Sequence, residues 1–169
     1  FPDAEVTVMP IADGGEGTVE TLACGMGGEM IYTEVTGPLG DKIQASYGIT
    51  ENPAVMEMAS SSGLPLVPIE KRNPFYTTSS GVGDMINDAI KRGCREFIIG
   101  IGGSATNDGG VGMLQSLGFG FTDKDGKEVE KGGKYLADIV DVDTSGALKE
   151  LKECTFKIAC DVDNPLCGE

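Results

Sequence analysis

The chain has 169 residues, 40% of them hydrophobic, and carries 13 basic against 27 acidic side chains, a net charge of −14. That balance argues against a nucleic-acid-binding surface, which needs a basic patch, and no apolar run approaches the ~18 residues a membrane helix requires. Histidine is absent, so the commonest general base and zinc ligand are excluded and acid–base chemistry falls to Asp, Glu, Lys, Tyr or Cys.

In chain order, Glu5-Val6-Thr7-Val8-Met9-Pro10-Ile11 reads as a strand. It runs into the acidic glycine loop Ala12-Asp13-Gly14-Gly15-Glu16-Gly17-Thr18. Val19, Leu22, Ala23 and Met26 follow at helical spacing, and Gly27-Gly28 supplies the stop. Residues 30–36, 42–49 and 54–59 alternate in polarity and are separated by glycine and proline turns, which predicts a β-meander. Residues 60–74 read as a long loop, and long loops carry function disproportionately. Thr78 or Ser80 then caps a helix whose stripe is Val82, Met85, Ile86, Ala89 and Ile90, ended by Gly93.

A strand over 95–101 delivers the chain into residues 100–112, where six of thirteen residues are glycine. Val111, Met113, Leu114 and Leu117 open a helix on the far side. Such a strand–glycine loop–helix passage lets backbone N–H groups converge on an anion. Residues 127–153 show no clear period, and the last strand, 155–159, leads into Cys160-Asp161-Val162-Asp163-Asn164-Pro165. The five cysteines (24, 94, 154, 160 and 167) contain no C-x-x-C pair, which predicts reduced thiols in a cytoplasmic protein. An apolar strand so close to the end, with no helix after it, reads as part of something larger.

Three loops after predicted strands thus carry carboxylates: Asp13 and Glu16, then Asp108, then Asp161 and Asp163. If the strands are parallel, these loops share one edge of the sheet and line a ligand crevice. Acids beside anion-binding amides suit phosphoryl transfer, one accepting a hydroxyl proton and others holding Mg²⁺. Asp108 is the first choice to orient or deprotonate the hydroxyl, Asp13 the second, with Asp161 and Asp163 supporting Mg²⁺ or substrate hydroxyls. Gly14, Gly15, Glu16, Gly102, Gly103, Ser104, Thr106 and Asn107 are the candidate contacts to substrate or phosphate, and Arg72 could pair with a substrate carboxylate. The alternatives are turn and capping roles for the acids, a non-enzymatic fold remnant, and an NAD(P)-binding oxidoreductase domain. The last is suggested by Gly100-x-Gly102-x-x-Ala105, although residues 106–110 resist the early helix that fingerprint wants.

The motifs Asp13-Gly14-Gly15-Glu16-Gly17-Thr18, Thr36-Gly37-Pro38-Leu39-Gly40, Glu57-Met58-Ala59-Ser60-Ser61-Ser62-Gly63-Leu64, residues 100–112 and residues 159–166 resemble, in order, the glycerate kinases of the bacterial type I family. The resemblance implies phosphorylation of D-glycerate to a phosphoglycerate with ATP and Mg²⁺, in a cleft between two α/β domains. It covers roughly the N-terminal half of such a kinase. The expected fold is therefore α/β, a Rossmann-like parallel-sheet portion plus part of a second, inserted mixed α/β domain. The division expected is 1–52 for the Rossmann-like or linking region and 53–169 for the second domain. Glycerate and a nucleotide are the implied partners, with no nucleic acid and no membrane.

Overall fold

The computed structural model describes residues 17–25, 27–51 and 53–160. Helix α1 (Thr18–Gly25) buries Val19 and Ala23. It ends where Gly27 takes φ +69° and Gly28 N–H returns to Ala23 O at 2.8 Å, a glycine-dependent stop. Strands β1 (Glu29–Thr36) and β2 (Lys42–Ile49) form an antiparallel hairpin, and β3 (Pro53–Glu57) pairs antiparallel with β2. The expected meander is present.

The stretch expected to be a long loop contains a single helical turn, α2 (Ala59–Ser62), and two 3-10 turns, Leu64–Leu66 and Ile69–Lys71. Helix α3 (Ser80–Lys91) buries the expected stripe of Val82, Met85, Ile86, Ala89 and Ile90. Strand β4 (Glu96–Gly100) pairs parallel with β3. Beyond the glycine loop come α4 (Val111–Ser116), β5 (Gly120–Thr122), a 3-10 segment Gly133–Asp138, β6 (Asp141–Asp143), a 3-10 segment Lys149–Glu153 and β7 (Thr155–Ala159).

The main sheet has the order β1-β2-β3-β4-β7, antiparallel on its β1–β3 side and parallel from β3 to β7. β5 and β6 make a separate two-stranded ribbon. This is a mixed α/β fold, as expected. β2 and β3, which flank residues 50–52, pair with each other through Gly48–Val55 and Ile49–Ala54.

Alternation along the strands sends neighbouring side chains to opposite faces. Tyr47, Met56, Phe97 and Ile99 join the α3 stripe in the main core, and each buried aliphatic side chain there is worth about 1.5–3 kcal/mol. Gly48, one residue on from Tyr47, faces the other way, where its missing Cβ leaves room for Ala23 and Val19 of α1. So α1 and α3 cover opposite faces of the sheet.

Candidate active site

Strands β3, β4 and β7 are parallel and end level, with Glu57 opposite Gly100 and Gly100 opposite Ala159. The loops that follow therefore leave from one edge of the sheet, the edge where open α/β sheets place their ligands. Ile101 N–H still reaches Ala159 O at 3.4 Å, and then the chain departs.

The segment after β3 braces the glycine loop. Leu64 N–H donates to Gly103 O at 2.9 Å and Ala105 N–H to Ser62 O at 2.9 Å, on either side of the Gly63–Ser104 bridge. Thr77 Oγ1 donates to Ala105 O at 2.8 Å. Gly103, Gly109 and Gly110 take φ +70°, +60° and +77°, conformations that a residue with a Cβ adopts only under strain. The loop's glycine content thus answers to backbone geometry.

Asp108 is the centre of this loop and is 2% exposed. Its Oδ2 accepts Ser79 N–H at 2.8 Å, Ser79 Oγ–H at 3.0 Å and Gly112 N–H at 3.2 Å, and Thr78 Oγ1 lies at 3.4 Å. Its Oδ1 accepts Gly110 N–H at 3.1 Å. Ser79 Oγ in turn accepts Met113 N–H at 3.0 Å. One carboxylate therefore satisfies amides at the starts of both α3 and α4, groups that have no partner inside their own helices. The expected capping hydroxyls at 78 and 80 act on each other: Thr78 Oγ1 accepts Ser80 N–H at 3.2 Å and lies 2.9 Å from Ser80 Oγ. Ser79, the residue at the cap, spends its own hydroxyl on Asp108.

Asp108, the first choice from the sequence to orient or deprotonate the attacking hydroxyl, lies at the heart of this hydrogen-bond network. A carboxylate that is buried and already accepts this set of donors orients the loop and the two helices. Ser104 and Thr106 also bond to each other, Oγ to Oγ1 at 2.9 Å, and Ser104 Oγ accepts Thr106 N–H at 3.0 Å. Arg72 is exposed and donates to Val67 O at 3.2 Å and Leu64 O at 3.4 Å, so it braces the turns that hold Gly103. Asn107 is exposed, and its side chain makes no hydrogen bond among the described residues. Asp13, Gly14, Gly15, Glu16, Asp161 and Asp163 lie outside the described residues.

What remains open is backbone. Among the described residues, the N–H groups of Gly102, Gly103, Ser104, Asn107, Asp108 and Gly109 donate no hydrogen bond. Two short runs of unspent amides within one glycine loop fit the oxygens of a phosphate or carboxylate. No cluster of three acidic or thiol side chains able to hold a metal occurs among the described residues. Magnesium bound through nucleotide phosphates needs only one or two carboxylates. The dinucleotide pattern lacks its geometry, because no helix starts until Val111. Sequence reasoning missed the Thr77–Ser80 run as part of the site. Four consecutive hydroxyl side chains ahead of an apolar stripe were the available signal.

Fold and site together define an α/β protein with a glycine loop of open backbone amides at the carboxyl edge of its parallel strands. The profile of the glycerate kinase family matches residues 1–169, and the chain belongs to that family. The glycerate kinase of Haemophilus influenzae is 52% identical over the whole chain, and the glycerate 2-kinase of Escherichia coli is 51% identical. A crystal structure from Salmonella typhimurium LT2, of a candidate glycerate kinase 2, superposes with a TM-score of 0.90 at 47% identity, covering 99% of this chain and 46% of that one. The chain spans about 45% of the length of both curated relatives.

Proposed function

We propose that this chain forms part of a kinase that phosphorylates D-glycerate to a phosphoglycerate with ATP and Mg²⁺ in the cytoplasm. The observation that carries the reading is the glycine loop at the shared edge of β3, β4 and β7, with the amides of 102–104 and 107–109 unspent. These amides would bind anionic groups of nucleotide or glycerate, and Asn107 would add a side-chain contact. Asp108, with Ser79, holds that cradle in shape before any ligand arrives. This is how binding energy goes to orientation and not to ordering a loop. With Asp108 engaged by the loop, acceptance of the hydroxyl proton is assigned in this reading to Asp13, and support of Mg²⁺ to Asp161 and Asp163. ATP supplies the transferred phosphoryl group, and Mg²⁺ neutralises charge on its oxygens. No described helix is long and apolar enough to cross a membrane.

Because the chain spans about half the length of its relatives, binding is a better first test than turnover. In a thermal-shift screen, ATP-Mg²⁺ and D-glycerate should each raise the melting temperature in a concentration-dependent way. Stabilisation by NAD and by neither of these would overturn the reading.

A further inference from the structure

Two carboxylates are buried among the described residues, and the site above uses only Asp108. The other is Glu57, 7% exposed and the last residue of β3. It lies opposite Gly100 in the parallel register, and the next amide, Met58 N–H, donates to Gly100 O at 2.8 Å. Glu57 therefore sits against the residue from which the glycine loop departs. Its Oε1 accepts Val19 N–H at 2.7 Å, across 38 residues of sequence. Val19 is the second residue of α1, in the first turn, where amides have no intrahelical acceptor.

Apolar packing already presses α1 onto the sheet, with Val19 at 4% and Ala23 at 0% exposure against Gly48. Packing of that kind is non-directional and tolerates small slides along the face. A short bond from an amide to a carboxylate is directional, and negative charge is favourable at a helix N-terminus. The first-turn amide of α1 is thus tied to the strand end that starts the glycine loop by one side chain. Gly17 precedes α1 in sequence, and Asp13-Gly14-Gly15-Glu16 precede Gly17.

We propose that Glu57 is a positioning residue that sets the entrance of α1 against the 102–108 anion cradle, so that its loss weakens ligand binding beyond any loss of stability. The proposal rests on the anion-binding reading of that cradle.

The test uses the full 169-residue chain with Glu57→Gln, which keeps an oxygen acceptor, and Glu57→Ala, which does not. ATP-Mg²⁺ and D-glycerate are titrated separately by calorimetry, and amide hydrogen exchange is followed in the absence of ligand. We expect Glu57→Gln to bind nearly as the parent does. We expect Glu57→Ala to bind at least about tenfold more weakly per folded molecule, the equivalent of one charge-assisted hydrogen bond. In Glu57→Ala, exchange should quicken together at Val19 and Thr21 of α1 and at Met58, Leu64 and Ala105, whose amides are hydrogen-bonded to or from the segment that braces the glycine loop. Parent-like affinity in Glu57→Ala, or faster exchange confined to α1, overturns the proposal. If the parent chain binds neither ligand, the functional reading fails, while the exchange comparison still decides whether Glu57 couples the two segments. Where Glu57→Ala does not fold, Glu57→Asp, one methylene too short to keep the bond, carries the same expectations.

Discussion

The end of β3 and the loop after β4 each bury a carboxylate at a helix start, and they do so in opposite ways. Glu57 belongs to a strand and reaches one amide of a distant helix, Val19 N–H, 38 positions away. Asp108 belongs to the loop itself and gathers donors both from its own following turn, at Gly110 and Gly112, and from α3, at Ser79. The first device joins two finished elements. The second makes an irregular segment hold one shape, because residues without a ladder of their own need a local acceptor. A third carboxylate, Asp88 on α3, serves as a reference. It is a quarter exposed and accepts Tyr47 Oη–H at 2.6 Å and Arg92 Nε–H at 2.9 Å.

The contrast can be broken most forcefully at Gly112. A Cβ there would collide with Thr78 Oγ1 and lie 2.8 Å from Asp108 Oδ2. Gly112→Ala should therefore cost about 3 kcal/mol, the upper range for overpacking, read from urea denaturation. Asp108→Ala comes next. It strands buried amides of Ser79 and Gly112, a loss of about 2–3 kcal/mol, with Asp108→Asn losing less because an amide oxygen still accepts. Parent-like stability in Asp108→Ala would show that the loop does not depend on its carboxylate.

Tyr47→Phe should cost about 1 kcal/mol, one hydrogen bond to a partly exposed partner. The same pair predicts a pH dependence. Burial by itself would raise the Asp88 carboxyl, but the hydrogen bonds from Tyr47 and Arg92 outweigh it and hold the group below the usual carboxylate range. Burial and the Asp88 bond push the Tyr47 phenol up. A carboxyl lowered in the folded state stabilises above its unfolded pKa, and that contribution fades as pH falls through the folded one. The parent should lose stability to acid below about pH 4 more steeply than Tyr47→Phe does, measured as denaturation midpoints. Arg92→Gln is the smallest perturbation. Its side chain is 45% exposed, and its pairing with Asp88 is screened by water, so the midpoint should stay within error.

Much of this was legible in the chain. The α3 stripe has the helical period, the meander alternates with period two, and the glycine loop declares itself by composition between two apolar elements. The 3-10 turns at 64–71 and the irregular 127–153 region were not legible. Elements of three to six residues are too short to show a period, and their place is decided by contacts such as Leu64 with Gly103. The site was legible as a location and not as a set of roles. Asp108 in a glycine turn reads equally as ligand or cap until Ser79, 29 residues earlier, is seen beside it. That Ser104 and Thr106 bond to each other is likewise not readable from their spacing alone.

The amino-acid sequence by itself determined the class of fold, the elements with strong periodicity and the loop that must accept positive φ, because these follow from side-chain spacing and backbone sterics. The tertiary structure decided which strand ends lie level, which amides are left unspent and which carboxylate serves the framework. Those are questions of hydrogen-bond pairing between residues far apart in the chain, and local spacing carries no record of them.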